Sequence, residues 1–256
     1  MSSTIEQGAD QSVGAVARGI SVLQALGEAR SATMADVARA TGLDRAGARR
    51  LLLTLQALGY VRLDGRHFSL APRVLGLGYH YLSALPFWNV AQPVLEEVVA
   101  EVGETCSIGV LDGDEIVFVL RVPSRRLLSF DPSIGSRMPA YVHSIGRTLL
   151  AALPDAELDA YLARVKLEPL TPHTVADPVQ LRTELARDRD RGWSYVSEQY
   201  ELGMCGIAVP IIDRDGRATA AVNVSMIHDA SAERRALQDV LPQLRMATRR
   251  LSAPGA

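Results

Sequence analysis

The chain has 256 residues, a formal net charge of −2, 48% hydrophobic and 22% charged side chains, which excludes a disordered chain and leaves room for one large domain or two ordinary ones. No apolar run approaches the roughly 20 residues that span a bilayer. The opening MSSTIEQGADQSVG lacks a basic start followed by an apolar core, so it is not read as a secretory signal and a cytoplasmic protein is expected.

Charge is unevenly placed. Residues 1–80 carry nine arginines against six carboxylates, and the remainder 18 basic against 23 acidic side chains. A basic head on an acidic body fits nucleic-acid contact by the head alone. Lysine occurs once, at Lys166. Arginine's fork suits phosphate and guanine, although coding bias produces the same habit. Cys106 and Cys205 cannot make a four-thiolate zinc site and demand no disulfide. They read either as small buried hydrophobes or as pocket lining.

Residues 1–13 read as a disordered tail and 14–71 as a winged helix-turn-helix. Val16, Ile20, Leu23 and Leu26 make one stripe of a first helix stopped at Gly27. Thr33 caps a second helix, with Asp36 three residues on. Met34, Val37 and Ala38 face inward. Gly42 supplies the left-handed turn that ends this helix, and Asp44 caps the next, Arg45–Leu58. There Ala48, Leu51, Leu52, Leu55 and Leu58 form the buried face, leaving Arg45, Arg49 and Arg50 near the N-terminal end. Three arginines on a helix usually mean a solvated face. The short helix and turn before them favour a recognition helix, which presents this part to base edges and phosphates. Asp64-Gly65 then turns a hairpin, the wing, from which Arg62 and Arg66 reach the sugar-phosphate backbone.

Residues 72–86 read as a linker helix, Val74–Leu85, apolar around its girth and in need of cover on more than one side. A partner subunit would supply it, so a homodimer is expected. A second domain, 87–253, follows. It contains a helix Ala91–Val102 and strands at Cys106–Leu111 and Glu115–Val122, with another at 127–130 and a loop over Asp131–Pro139. Helices are expected at Ser144–Ala152, 154–163 and Pro178–Arg191, the last with paired charges read as solvated. An extended segment at 193–196, a hairpin built on CGIAVPII and RATAAVNVSM, and a closing helix Ala232–Leu251 complete a mixed α+β domain with an antiparallel sheet.

Enzyme chemistry finds little support. His143 stands beside Ser144, but no nucleophile elbow, HExxH or phosphate-cradling glycine loop is present, and the five histidines have no metal-ligand spacing. No cofactor is expected. A carboxylate ligand in an apolar cup would need a cation or hydroxyl partner. Arg137, His143 and Ser144 are candidates, and Asn223 is either a polar group on the sheet or a solvent-facing strand residue. Arg147 is read as a helix anchor through a salt bridge.

The stretches ADVARATGL, FSLAPRVLGLG, SIGSRMPAYVHSIGRTLLAALP and GMCGIAVPIIDRDGRATAAVNVS together make the chain similar to the IclR family of bacterial transcriptional regulators, from Val16 to about Leu251. Within it, Tyr-Val-His-Ser at 141–144 resembles the branch controlling protocatechuate, 4-hydroxybenzoate and β-ketoadipate catabolism. Met204 and Gly206 depart from the basic residue and serine of many relatives. The resemblance implies a GAF or PAS-like effector domain, dimers or dimers of dimers on double-stranded operator DNA, and a small organic acid effector. It also implies a pocket wall drawn from Cys106, Ile108, Leu128, Phe130, Met138, His143, Ser144, Thr148, Cys205 and Asn223. An enzyme bearing a winged helix and a winged-helix protein-interaction module are the alternatives; a nucleophile–base pair, or a lack of salt-dependent DNA affinity, would distinguish them.

Overall fold

The computed structural model of the chain describes residues 13–124 and 132–252. Most of the expected tail, and with it Leu128, Phe130 and the strand expected at 127–130, lies outside the described residues. The chain divides between Leu82 and Ser83 into two compact units.

The first unit runs α1 (Gly14–Ala29), β1 (Ala32–Thr33), α2 (Met34–Thr41), α3 (Arg45–Ala57), β2 (Val61–Asp64), β3 (His67–Leu70) and α4 (Val74–Ser83). The three strands pair antiparallel in the order β1-β3-β2. The two-residue β1 is too short to leave an alternating pattern. Val22, Leu26, Val37, Leu52 and Phe68 form the core. The first helix departs from expectation: Val16 and Ile20 are exposed, because only the C-terminal half of α1 carries buried side chains. It also passes Gly27 and ends where Arg30 takes a left-handed φ of 58°. Leu58 lies beyond the end of α3 and is exposed rather than buried. No residue of α4 is buried within the chain, and Leu75, Leu77, Tyr79 and Tyr81 are all exposed.

The second unit contains α5 (Trp88–Val102), β4 (Thr105–Asp112), β5 (Glu115–Val122), β6 (Arg137–Pro139), α6 (Ser144–Ala151), α7 (Asp155–Arg164), α8 (Pro178–Arg191), β7 (Ser194–Ser197), β8 (Met204–Ile212), β9 (Ala218–Ile227), α9 (Ala232–Arg235) and α10 (Leu241–Ser252). The strands form an antiparallel sheet in the order β6-β5-β4-β9-β8-β7. Arg137–Pro139, expected within a loop, pairs instead with Glu115–Val117. Three residues at a sheet edge are too few for alternation to reveal. The closing helix is not continuous either, since Ala236–Val240 widens into a π turn. Pro242 follows, and its ring would collide with the carbonyl four residues earlier in a regular helix.

Helix α6 lies on the sheet face that carries Ala208 and Ala221. The turn Ala140–Val142 that leads into α6 packs back against Gly146, where a Cβ would stand 2.1 Å from the Ala140 carbonyl oxygen. Arg147 of α6 is buried and forms an ion pair with Glu184 of α8, the anchor expected of it. The charges of α8 are not simply solvated. Arg189 donates to the Ala151 and Leu153 carbonyls at 2.6 and 2.7 Å and to Asp155 at 2.7 Å, while Arg182 pairs with Asp159. The Arg189 guanidinium thereby satisfies the Ala151 carbonyl that the end of α6 leaves unpaired.

Candidate functional site

In the first unit, local chemistry fixes the two helices of the helix-turn-helix. The Thr33 hydroxyl accepts the Asp36 N–H at 3.3 Å while Asp36 accepts the Thr33 N–H at 3.1 Å, closing a capping box on α2. Gly42 takes φ 68° at the turn, and Asp44 Oδ1 accepts the Gly47 N–H at 2.5 Å to cap α3. Ala48, Leu52 and Leu55 hold α3 on the core. Arg45, Arg49 and Arg50 are exposed, as are Arg62 and Arg66 on the hairpin. Arg62 Nε donates to Ser69 Oγ at 2.9 Å, steadying it along the wing.

In the second unit, a cavity of about 50 Å³, open to solvent, lies between the N-terminal end of α6, the sheet and residues 198–201. Phe118 and Arg121 of β5, Met138 of β6, Cys205 and Gly206 of β8 and Ser225 of β9 line it from the sheet, and Val142, His143 and Ser144 from the start of α6. The His143 ring stands edge-on to Phe118, centroids 5.4 Å apart. Its Nδ1 accepts the Ile145 N–H at 3.2 Å, which assigns the proton of the neutral ring to Nε2. Burial pushes its pKa down to about 4, so the ring is uncharged at neutral pH.

Polar groups lie beneath this wall. Ser144 Oγ, Ser107 Oγ and Asn223 Oδ1 are buried without a hydrogen-bond partner among the described residues. Buried polar atoms are otherwise nearly always paired. Asn223 Nδ2 donates to Ser225 Oγ at 3.0 Å. Gly206 lets these groups converge, because a Cβ there would lie 3.2 Å from Ser144 Oγ and 3.4 Å from Asn223 Nδ2.

Of the residues singled out in the sequence, Met138, His143, Ser144 and Cys205 come together around the cavity, with Asn223 beneath Gly206. Cys106 and Ile108 do not join them. They alternate with Ser107, which pairs with Asn223, and therefore point to the other face of the sheet. Thr148 donates to the Ala208 carbonyl at 3.3 Å and lies outside the cavity lining. Arg137 sits at the sheet edge, engaged by Glu115 and Asp112 at 2.7 Å each. The wall formed by Val196 and Glu198–Glu201 was missed. Its only sequence signal is a polar run between two strands that ends in Gly203.

A winged helix-turn-helix and a separate domain with a cavity over an antiparallel sheet are the architecture of a DNA-binding, effector-responsive transcriptional regulator. The IclR helix-turn-helix domain matches residues 15–65 and the C-terminal domain of the bacterial transcriptional regulator IclR matches residues 79–253. The chain belongs to the IclR family, whose members are regulators rather than enzymes. It is 42% identical over 239 residues to the Pca regulon regulatory protein of Pseudomonas putida, spanning 92% of this chain and 82% of that protein. It is 34% identical to the p-hydroxybenzoate hydroxylase transcriptional activator of Acinetobacter baylyi, over 91% of this chain and 88% of the relative. The crystal structure of an IclR homolog complexed with 4-hydroxybenzoate, from Microbacterium hydrocarbonoxydans, superposes with a TM-score of 0.83 at 26% identity, covering 93% of this chain and 97% of that one. No described helix is long and apolar enough to cross a membrane.

Proposed function

We propose that this regulator reads operator DNA as a homodimer and is controlled by a small organic acid, an aromatic acid or a β-ketoadipate pathway metabolite, bound in the cavity of the second unit. The observation that carries this reading is the cavity wall itself. It is apolar at Phe118, Met138 and Val142, yet is also lined by a neutral histidine with its proton on Nε2, by Ser144, whose hydroxyl has no partner among the described residues, and by Arg121. Such a cup suits a flat apolar body with acceptor oxygens at its edge. The relatives named for the Pca regulon and for p-hydroxybenzoate hydroxylase, and the 4-hydroxybenzoate complex of a third, support the effector class.

Arg45, Arg49 and Arg50 on α3 contact bases and phosphates in this reading, and Arg62 and Arg66 the flanking backbone. The exposed apolar girth of α4 supports pairing of two chains, with a dimer of dimers as the higher assembly. Thermal-shift titration with 4-hydroxybenzoate, protocatechuate and β-ketoadipate, followed by gel-shift of operator DNA with and without the stabilising acid, tests the proposal. Stabilisation by one of these acids together with altered DNA binding is expected. No shift with any of them, against a shift with unrelated acids, would remove the effector class.

A further inference from the structure

The wall that closes the cavity opposite α6 is a short turn, residues 198–203, between β7 and β8. At its start Glu198 has φ 58°, a left-handed conformation that a side chain with a Cβ rarely adopts. Such strain persists only where the surroundings over-determine it. Here they do. The Glu198 N–H donates to the Met204 carbonyl at 2.6 Å, and its Oε1 accepts the Gly203 N–H at 2.9 Å, closing the turn on itself. Thr171 Oγ1 donates to the Glu198 carbonyl and Thr174 Oγ1 to the Gln199 carbonyl, both at 2.6 Å. On the other flank the His228 N–H donates to the Gly203 carbonyl at 2.8 Å. The His228 ring is set by Ser197 Oγ at 2.8 Å from Nδ1, placing its Nε2 3.4 Å from Glu198 Oε2; His173 Nε2 approaches the same oxygen at 3.8 Å.

We propose that Glu198 is the positioning residue of the cavity's outer wall. Its carboxylate and its strained backbone latch residues 198–203 between the 171–175 segment and His228, and the latch sets how fast a ligand leaves. The second clause rests on the reading of this cavity as the effector site; the first does not. The turn contributes Glu198, Gln199, Tyr200 and Glu201 to the lining, so its release opens the cavity without disturbing α6.

Hydrogen exchange of the Gly203 amide in the free full-length protein tests the latch directly, since exchange reports local opening. Glu198→Ala is expected to speed it about tenfold or more at an unchanged melting temperature. The Thr171→Val, Thr174→Val double variant is expected to act in the same direction. Glu198→Gln, which keeps an acceptor oxygen for Gly203, should stay within about threefold of the wild type, a rescue that bulk loss of packing would not give. Unchanged exchange in Glu198→Ala, or an equal rise throughout β8 and β9, overturns the latch.

With 4-hydroxybenzoate as probe, stopped-flow should show faster dissociation from Glu198→Ala with association little changed; an unaltered dissociation rate overturns the claim about ligand exit. If 4-hydroxybenzoate does not bind the wild type, the aromatic-acid reading fails on that probe, and the exchange arms still decide for or against the latch.

Discussion

His143 Nδ1 accepts the backbone N–H of Ile145 at 3.2 Å, so one side chain both faces the cavity and closes the first turn of α6. Its pKa, held down to about 4 by burial, ties stability to pH. Above about pH 6.5 the ring is neutral in both folded and unfolded chains. As pH falls from about 6.5 to 4 the unfolded chain takes up a proton that the folded chain refuses, so stability decreases by up to about 3 kcal/mol. Below that window both states carry the proton and the loss stops growing. His143→Asn keeps an acceptor for the cap and removes the titration. Urea unfolding at pH 7, 5.5 and 4 should show a smaller loss in this variant; parallel curves would refute the assignment.

The Arg147–Glu184 pair should respond unequally to removal of its two members. Glu184→Gln removes the carboxylate that the buried guanidinium hydrogen-bonds and leaves only the neighbouring Asp188 as anion, whereas Arg147→Met removes the charge that needed compensation. Glu184 is partly open to solvent, which moderates the penalty, and a loss of about 2 kcal/mol is expected for Glu184→Gln, with a smaller one for Arg147→Met. Denaturant unfolding of both variants decides the order; the reverse order would contradict a buried pair of this kind.

Gly146→Ala tests the seating of α6. Its Cβ would meet the Ala140 carbonyl oxygen at 2.1 Å, and backbone cannot rotate away as a side chain can. A destabilisation of about 3 kcal/mol is expected. Because α6 carries Ser144 at its start, with His143 as its cap, ligand-induced thermal shift should fall as well. A variant of wild-type stability would show that α6 slides freely.

On the reading head, Arg49→Ala should weaken operator binding and leave thermal shift by the effector intact. Arg62→Ala should weaken binding to all sequences alike and reduce the slope of log affinity against log salt by about 1, as loss of one phosphate contact requires. Filter binding across a salt series separates the two behaviours. An unchanged slope would take Arg62 off the phosphate backbone.

The reading head was legible because its signals are local. Thr33 with Asp36, Gly42, Asp44 and Asp64-Gly65 each specify their backbone within four residues. The cavity was legible only where it leans on such elements, at His143 and Ser144 beside the start of α6. Cys106 and Ile108 were placed at the pocket wall by the resemblance alone; in the sheet they alternate with Ser107, the residue that pairs with Asn223. Glu198 was invisible because nothing in its neighbours demands a left-handed φ; the demand comes from Thr171, Thr174 and His228, distant in sequence. The paired charges of α8 misled for the same reason, since their partners lie on other elements.

The described lining of the cavity comes entirely from residues 118–225, beyond the division at Leu82. If the effector occupies this cavity, as proposed, its binding and operator binding are two equilibria on one chain, joined by a single coupling free energy. Linkage makes that quantity symmetric: whatever factor an effector applies to operator affinity, the operator must apply to effector affinity. The strength of the signal can thus be measured from either end, by calorimetry of the small molecule with and without bound DNA, before any second conformation is known.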